Sequence, residues 1–288
     1  MNEVKKMKLG AHMLITGGLH KAIESGEAIN CETIQVFTKS NRSWNAKSLN
    51  DEDIDQFLKR SVETKISPIF AHNTYLINLC ATDSAIYQKS FDGMKMEIER
   101  AEQLQLPFTV LHPGSHMGAG EEAGLRRVSE SLRKIFSETE GFKVRVLLET
   151  TAGQGTNLGY TFEHLATLLQ LIDYPDRVGT CFDTCHTFAA GYDFRTQKGY
   201  ENVISSFDSI VGLKTLFAFH INDSINDCGS LVDRHEHIGK GTIGTAGFKH
   251  FLNDKRFANH PGVLETPKDK DYKEDIMNLK VLRSLIEK

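Results

Sequence analysis

Cys181-Phe182-Asp183-Thr184-Cys185-His186, following Arg177-Val178-Gly179-Thr180, is the stretch on which the reading of the chain turns. Val178 to Asp183 predicts a buried strand running out into a loop. A carboxylate at 183 and an imidazole at 186 emerge where the strand stops, close enough to turn toward one point. An Asp and a His near each other are common in loops. The pair gains meaning because nearly every other strand-like run ends on a residue of the same kind.

Eight such runs recur: Lys8–Met13, Thr33–Thr38, Ile69–His72, Phe108–His112, Val144–Glu149, Val178–Asp183, Leu216–Ile221 and Val263–Glu265. Continuous apolar runs of this length suit strands covered on both faces, as in a parallel sheet. Helical spacing lies between them, in Ile54, Phe57, Leu58 and Val62, in Leu125, Val128, Leu132, Ile135 and Phe136, and in Phe162, Leu165, Leu168, Leu169 and Ile172. Ser48 with Asp51 resembles a capping box, and Pro68, Pro107 and Pro261 each stand just ahead of a strand. Strand ends about 25–45 residues apart match one βα unit. The fold class expected is therefore α/β, a (β/α)8 barrel in a single domain over residues 1–288. An open doubly wound sheet is the alternative, but no GxGxxG follows the first run.

Composition agrees with that size. Of 288 residues, 40% are hydrophobic and 25% charged, ordinary values for a globular chain that buries a core without staples. A formal net charge of −4 argues against a broadly basic nucleic-acid binder, unless bound divalent cations alter the balance. Cys31, Cys80, Cys181, Cys185 and Cys228 lack paired CxxC spacing and read as reduced thiols of a cytoplasmic protein. Met1 to Gly10 has no apolar core, so no signal peptide is expected. No apolar run is long enough to span a membrane.

The carboxyl ends of the eight runs carry His12, Thr38, His72, His112, Glu149, Asp183, His220 and Glu265, and the following loops add His186, Asp233, Arg234 and His235. That end of a barrel is where active sites lie. Five imidazoles (72, 112, 186, 220, 235) and four carboxylates (149, 183, 233, 265) would converge there, enough for two or three ions. His and carboxylate without thiolate favour Zn2+, with Mn2+ or Fe2+ as alternatives. Three divalent cations against four carboxylates would leave the pocket positive and attractive to a phosphodiester. Each member has an ordinary alternative. A lone His is commonly a hydrogen-bonded core residue, Glu149 or Glu265 could pair with an Arg, and Asp183 could cap a helix. Cys181 and Cys185 read as small hydrophobes. The coincidence of nine is what those alternatives do not absorb.

At this point the chain resembles the endonuclease IV family of apurinic/apyrimidinic endonucleases, nearly end to end. The residues that carry the resemblance are His72-Asn73-Thr74-Tyr75-Leu76-Ile77-Asn78-Leu79, Cys181 through His186, and His220-Ile221-Asn222-Asp223 with Gly229-Ser230-Leu231-Val232-Asp233-Arg234-His235. Leu111 to His116, Leu148 to Gly155 and Leu264-Glu265-Thr266 support it. The resemblance implies a TIM barrel with three zinc ions. It implies His72, His112 and Glu149 at the first, Glu149 bridging to Asp183, His220 and Glu265 at the second, and His186, Asp233 and His235 at the third. Mn2+ or Fe2+ could replace zinc at one site. It places His12 near the site without a metal bond, and leaves His116 and His237 outside the ligand set. Three positions depart from the family pattern: Thr150 where Asn is common, Ile225 where Lys is common, and the extra imidazole of His237.

The implied reaction is hydrolysis of double-stranded DNA on the 5′ side of an abasic site, leaving a 3′-hydroxyl and a 5′-deoxyribose phosphate, with Glu149 and Glu265 as catalytic carboxylates. Arg42, in Thr38-Lys39-Ser40-Asn41-Arg42-Ser43-Trp44, and Tyr75 with Leu76 match residues that enter the DNA stack near the lesion. His12 joins them as substrate-facing. The family implies a monomer, and nothing points to a membrane. Two rivals stand beside this reading. A sugar isomerase or epimerase on the same barrel would have no use for the Arg42 and Tyr75 loops, and a zinc-dependent scaffold would bind damaged DNA without turnover.

Overall fold

Short apolar strands covered on both faces must close or be capped, and here they close. The computed structural model describes residues 6–287. Strands β1 (Lys8–Met13), β2 (Thr33–Phe37), β3 (Ile69–His72), β4 (Phe108–Leu111), β5 (Arg145–Glu149), β6 (Val178–Asp183) and β7 (Leu216–His220) belong to one barrel. A two-stranded ladder, β8 (Asp223–Ser224) with β9 (His235–Glu236), interrupts the series, and β10 (Pro261–Leu264) completes it. The strands are hydrogen-bonded in the order β1-β10-β7-β6-β5-β4-β3-β2, every ladder is parallel, and β2 returns to β1.

Helices α1 (Leu19–Ala28), α2 (Asp51–Glu63), α3 (Ser84–Gln103), α4 (Glu121–Glu138), α5 (Phe162–Ile172), α6 (Thr184–Ala189), α7 (Gln197–Ile210), α8 (Gly244–Asn253) and α9 (Lys273–Leu285) accompany them. Alternation along each strand sorts the core in two. Leu9, Ile34, Val146 and Phe219 pack outward against the helices, whereas Phe70, Phe108, Val110, Leu147, Cys181, Ala218 and Val263 fill the barrel itself. No described helix is long and apolar enough to cross a membrane. The expected lack of a signal peptide in Met1–Gly10 falls partly on residues 1–5, outside the described residues.

Four details differ from the sequence reading. Asn50, not Ser48, caps α2, accepting from Asp53 N at 2.7 Å. Val62 is 85% exposed, so α2 turns Phe57 inward instead. Pro261 is the first residue of β10 rather than its forerunner, a strand-end position that the missing N–H allows. After β6 there is no loop: the chain passes straight into α6, and Asp183 is its N-cap.

The β6–β7 ladder also carries a bulge, on the β7 side. Thr180 pairs with Leu216 but Cys181 pairs with Ala218, so Phe217 has no partner in the ladder. The offset sets Asp183 beside His220 rather than beside Phe219. Gly179 makes room for it, because a Cβ there would come within 2.5 Å of the Phe217 ring.

Candidate metal centre

The inward-facing layer at the carboxyl end of the barrel is polar. His12 pairs with Gln35, Phe37 with His72, and Asp183 with His220, and Glu149 stands above Leu147 on β5. Three overlapping groups bring their donor atoms within 4.8 Å of one another: His72, His112 and Glu149; Glu149, Asp183, His220 and Glu265; and Asp183, His186 and His235. Glu149 is common to the first two groups and Asp183 to the last two. Asp233 stands at the third, with Oδ1 3.1 Å from His186 Nε2 and 3.6 Å from His235 Nε2. All nine expected residues therefore meet at one mouth.

The imidazoles are aimed by their outer nitrogens. His72 donates from Nδ1 to the Asn73 carbonyl at 2.6 Å, His186 to the Thr150 carbonyl at 2.9 Å, and His235 to the Glu265 carbonyl at 3.1 Å. His220 donates from Nε2 to Gln35 Oε1 at 2.8 Å. A carbonyl only accepts, so each bond leaves the inner nitrogen without that proton and free to face the carboxylates, although His186 Nδ1 also lies 3.3 Å from Glu149 Oε1. Outer-nitrogen bonds of this kind are how proteins orient metal-binding histidines.

The acids need positive charge. Burial alone would raise Glu149, but the His220 and His112 imidazoles outweigh it and hold the carboxyl well below its usual range. Burial opposes Glu265 likewise, and the His220 imidazole is first among the neighbours that overcome it. In return, the acids hold His112, His186 and His220 above an ordinary imidazole although burial pushes each down. Among the described residues, every cationic side chain within ion-pair distance of Glu149 or Asp183 is a histidine. Buried carboxylates facing inward-aimed imidazole nitrogens fit divalent cations of the zinc type, with His and carboxylate donors. Thiolates take no part: burial pushes Cys181 and Cys185 up to about 12, so both are packed thiols.

Local structure places the third group. As N-cap of α6, Asp183 accepts from His186 N through Oδ1 at 2.7 Å, and its Oδ2 accepts from Asn222 Nδ2 at 2.7 Å. Capping and membership of the cluster are one geometry, since the cap fixes His186 one turn beyond the acid. The β8–β9 ladder sets His235 opposite Ser224, in what the sequence reading took for a loop. His237 turns away, accepting from Asn278 Nδ2 at 3.1 Å. The Thr150 hydroxyl accepts from Asp183 N at 2.8 Å and from Thr187 at 3.0 Å, so its work is on the β6–α6 corner and not on Glu149. Ile225 is exposed.

Two polar residues of this layer escaped the sequence reading. Gln35 donates to Glu265 Oε1 at 2.6 Å and to His12 Nδ1 at 2.9 Å while accepting from His220. Its signal was there: an amide in the run Thr33-Ile-Gln35-Val-Phe37, on the inward-facing parity. β2 ends at Phe37 and not at Thr38, whose hydroxyl instead donates to Glu97 of α3. Asn222 joins Asp183 to Glu265, whose backbone N–H its Oδ1 accepts at 2.7 Å.

The substrate-facing candidates lie around the mouth. His12 belongs to none of the three groups, and its Nδ1 stands 3.6 Å from Glu265 Oε1. Tyr75 is 56% exposed, its ring 5.2 Å from His72 and 5.5 Å from His112. Leu76 is half-buried and Arg42 exposed. Thr74 donates to the Asn41 carbonyl at 2.7 Å, tying the two loops together. A cavity of about 560 Å3 opens there, lined by Tyr75, His112, His186, Asp233, His235 and Glu265.

A family model described as a xylose isomerase-like TIM barrel matches residues 23–284. A probable endonuclease 4 of Chloroflexus aurantiacus is 48% identical over 97% of this chain and 98% of its own length. One from Geobacter sulfurreducens is 47% identical over 96% and 94%. The solved endonuclease IV of Thermus thermophilus superposes with a TM-score of 0.85 at 33% identity, covering 96% of this chain and 98% of that one. A D-tagatose 3-epimerase-like protein, at a TM-score of 0.74 and 17% identity, shares the barrel alone.

Proposed function

The chain belongs to the endonuclease IV family of the xylose isomerase-like TIM barrels, a family of DNA-repair endonucleases, and we propose that it cleaves the phosphodiester 5′ to an abasic site with three zinc ions. The products are a 3′-hydroxyl and a 5′-deoxyribose phosphate. What supports the reading is the three overlapping donor groups beside the exposed Arg42 and Tyr75. His72, His112 and Glu149 would hold one ion, Glu149, Asp183, His220 and Glu265 a second, and His186, Asp233 and His235 a third. Mn2+ or Fe2+ could occupy one position by donor type. When bound, the ions lower the pKa of water toward about 7 and offset the charge growing on the phosphate and the departing oxygen.

The side chains do the rest. Glu149 and Glu265 lie well below the ordinary carboxyl range, so they are weak proton acceptors and act by orienting the attacking water. Burial pulls His12 down to about 4, which leaves it neutral, with Nδ1 accepting from Gln35 and its N–H on Nε2. Arg42, Tyr75 and Leu76 project where a strand must open for the lesion to leave the stack. All five cysteines are free, in keeping with a reducing, cytoplasmic compartment.

The test is an abasic-site duplex incubated with the protein, with and without a zinc chelator. Nicking that the chelator abolishes is expected. Binding without nicking would favour a scaffold, and neither binding nor nicking would favour a sugar isomerase.

A further inference from the structure

The cavity over the donor groups ends at Tyr75 and Glu265, and a second one of about 480 Å3 begins on the other side of the same two residues. Its size is ordinary for a small-ligand site, roughly 300–1,000 Å3. Met13, Leu14 and Phe37 give it an apolar side, while Arg42 and Lys268 give it charge.

Lys268 is held from two directions. Its Nζ donates to the His12 carbonyl at 2.5 Å and lies 3.4 Å from Oδ1 of Asp275, a buried acid on α9. An ammonium carries three protons, and these partners take two. The side chain remains 18% exposed at the cavity. His12 lines the same cavity. Because Gln35 Nε2 donates to its Nδ1, its proton sits on Nε2, and that buried N–H has no acceptor. Arg42 makes no ion pair among the described residues. An incomplete ammonium, an orphaned N–H and a free guanidinium beside apolar side chains suit an anion carried on a carbon skeleton.

We propose that this second cavity receives the nucleotide adjoining the scissile phosphate, with Lys268 donating to a phosphate oxygen. The inference rests on DNA being the substrate. A strand crossing Tyr75 then places one residue of the chain in each cavity, and Glu265 stands at the boundary between them. Lys268 follows Glu265 by three residues, so the loop that leaves β10 supplies both a donor-group acid and this cation.

The experiment compares wild type, Lys268→Gln and Asp275→Asn, all zinc-loaded, on the abasic duplex between 50 and 200 mM salt. One lost phosphate contact lowers the slope of log affinity against log salt by about 0.9. K268Q is expected to show that drop and a KM raised roughly tenfold, with zinc content unchanged. D275N takes the charge out of the same tether but leaves the ammonium, and is expected to keep the wild-type slope. If Lys268 is only a tether, D275N will weaken binding as K268Q does and neither slope will move, which overturns the proposal. Wild type that nicks, beside K268Q with unchanged KM and slope, overturns this inference alone. Wild type that does not nick overturns the reading of the whole site.

Discussion

Gln35→Leu removes an amide that no metal would touch, and its consequences can be worked out from the structure. Gln35 links three groups of the layer: it accepts from His220 Nε2 and donates to Glu265 Oε1 and His12 Nδ1. Leucine has a similar shape and fills the space, so cavity effects are small. The loss is of hydrogen bonds to buried groups, each about 1.5–3 kcal/mol where a charge is involved. His220 would keep a buried N–H without acceptor, and its inner nitrogen would no longer be pinned toward Glu149. Partners of this kind typically contribute 10–100-fold to metal affinity, or about 1.4–2.8 kcal/mol. The expected result is selective loss of the ion held by Glu149, Asp183, His220 and Glu265, with the His72–His112–Glu149 position retained. Zinc per chain would be measured after dialysis against chelators of graded strength, with nicking of abasic DNA in parallel. If Gln35→Leu retains zinc within twofold of wild type across the series, the outer amide does not orient His220 and the reasoning fails.

Glu265→Gln keeps shape but removes a charge from the middle group, so abasic-site nicking should fall by several orders of magnitude while DNA binding stays measurable; near-normal cleavage would remove Glu265 from the mechanism. Arg42→Ala should weaken binding to the abasic duplex about tenfold or more and leave zinc content alone. The metal-free and zinc-loaded chains should respond oppositely to pH. His112, His186 and His220 lie above the ordinary 6.5 in the fold, so their ion pairs stabilise the metal-free chain below that value and are lost as pH rises through the raised values. Zinc competes with those protons, so the loaded chain should gain stability over the same rise, and melting temperatures at pH 6, 7, 8 and 9 check both signs. Gly179→Ala should cost about 1–3 kcal/mol by crowding Phe217. A melting temperature unchanged by it would show that the ring gives way freely.

Much of this was legible in residue order because a parallel barrel writes its active end at the strand ends. Eight short apolar runs, seven of them stopping at or near an imidazole or carboxylate, are a local pattern, and local pattern survives in sequence. The nine candidates of the metal centre could be named from it, as could Arg42 and Tyr75 at the mouth once the family resemblance was seen. Gln35 was missed because a glutamine inside a β-branched run carries no chemical mark of its own. It becomes meaningful only when pairing of β1 with β2 sets it beside His12 and the barrel brings His220 and Glu265 against it.

Tertiary structure alone decided the rest. The β7 bulge at Phe217 chose His220 as the neighbour of Asp183, and the direct entry into α6 made that acid both cap and candidate ligand. The outer bonds of His72, His186, His220 and His235 reach carbonyl or amide oxygens supplied by Asn73, Thr150, Gln35 and Glu265, and so choose which nitrogen faces inward. Residue type and spacing follow from short-range geometry that repeats with each βα unit. Register, tautomer and the division into two cavities come from contacts between strands and the loops beyond them, set only when the units pack together.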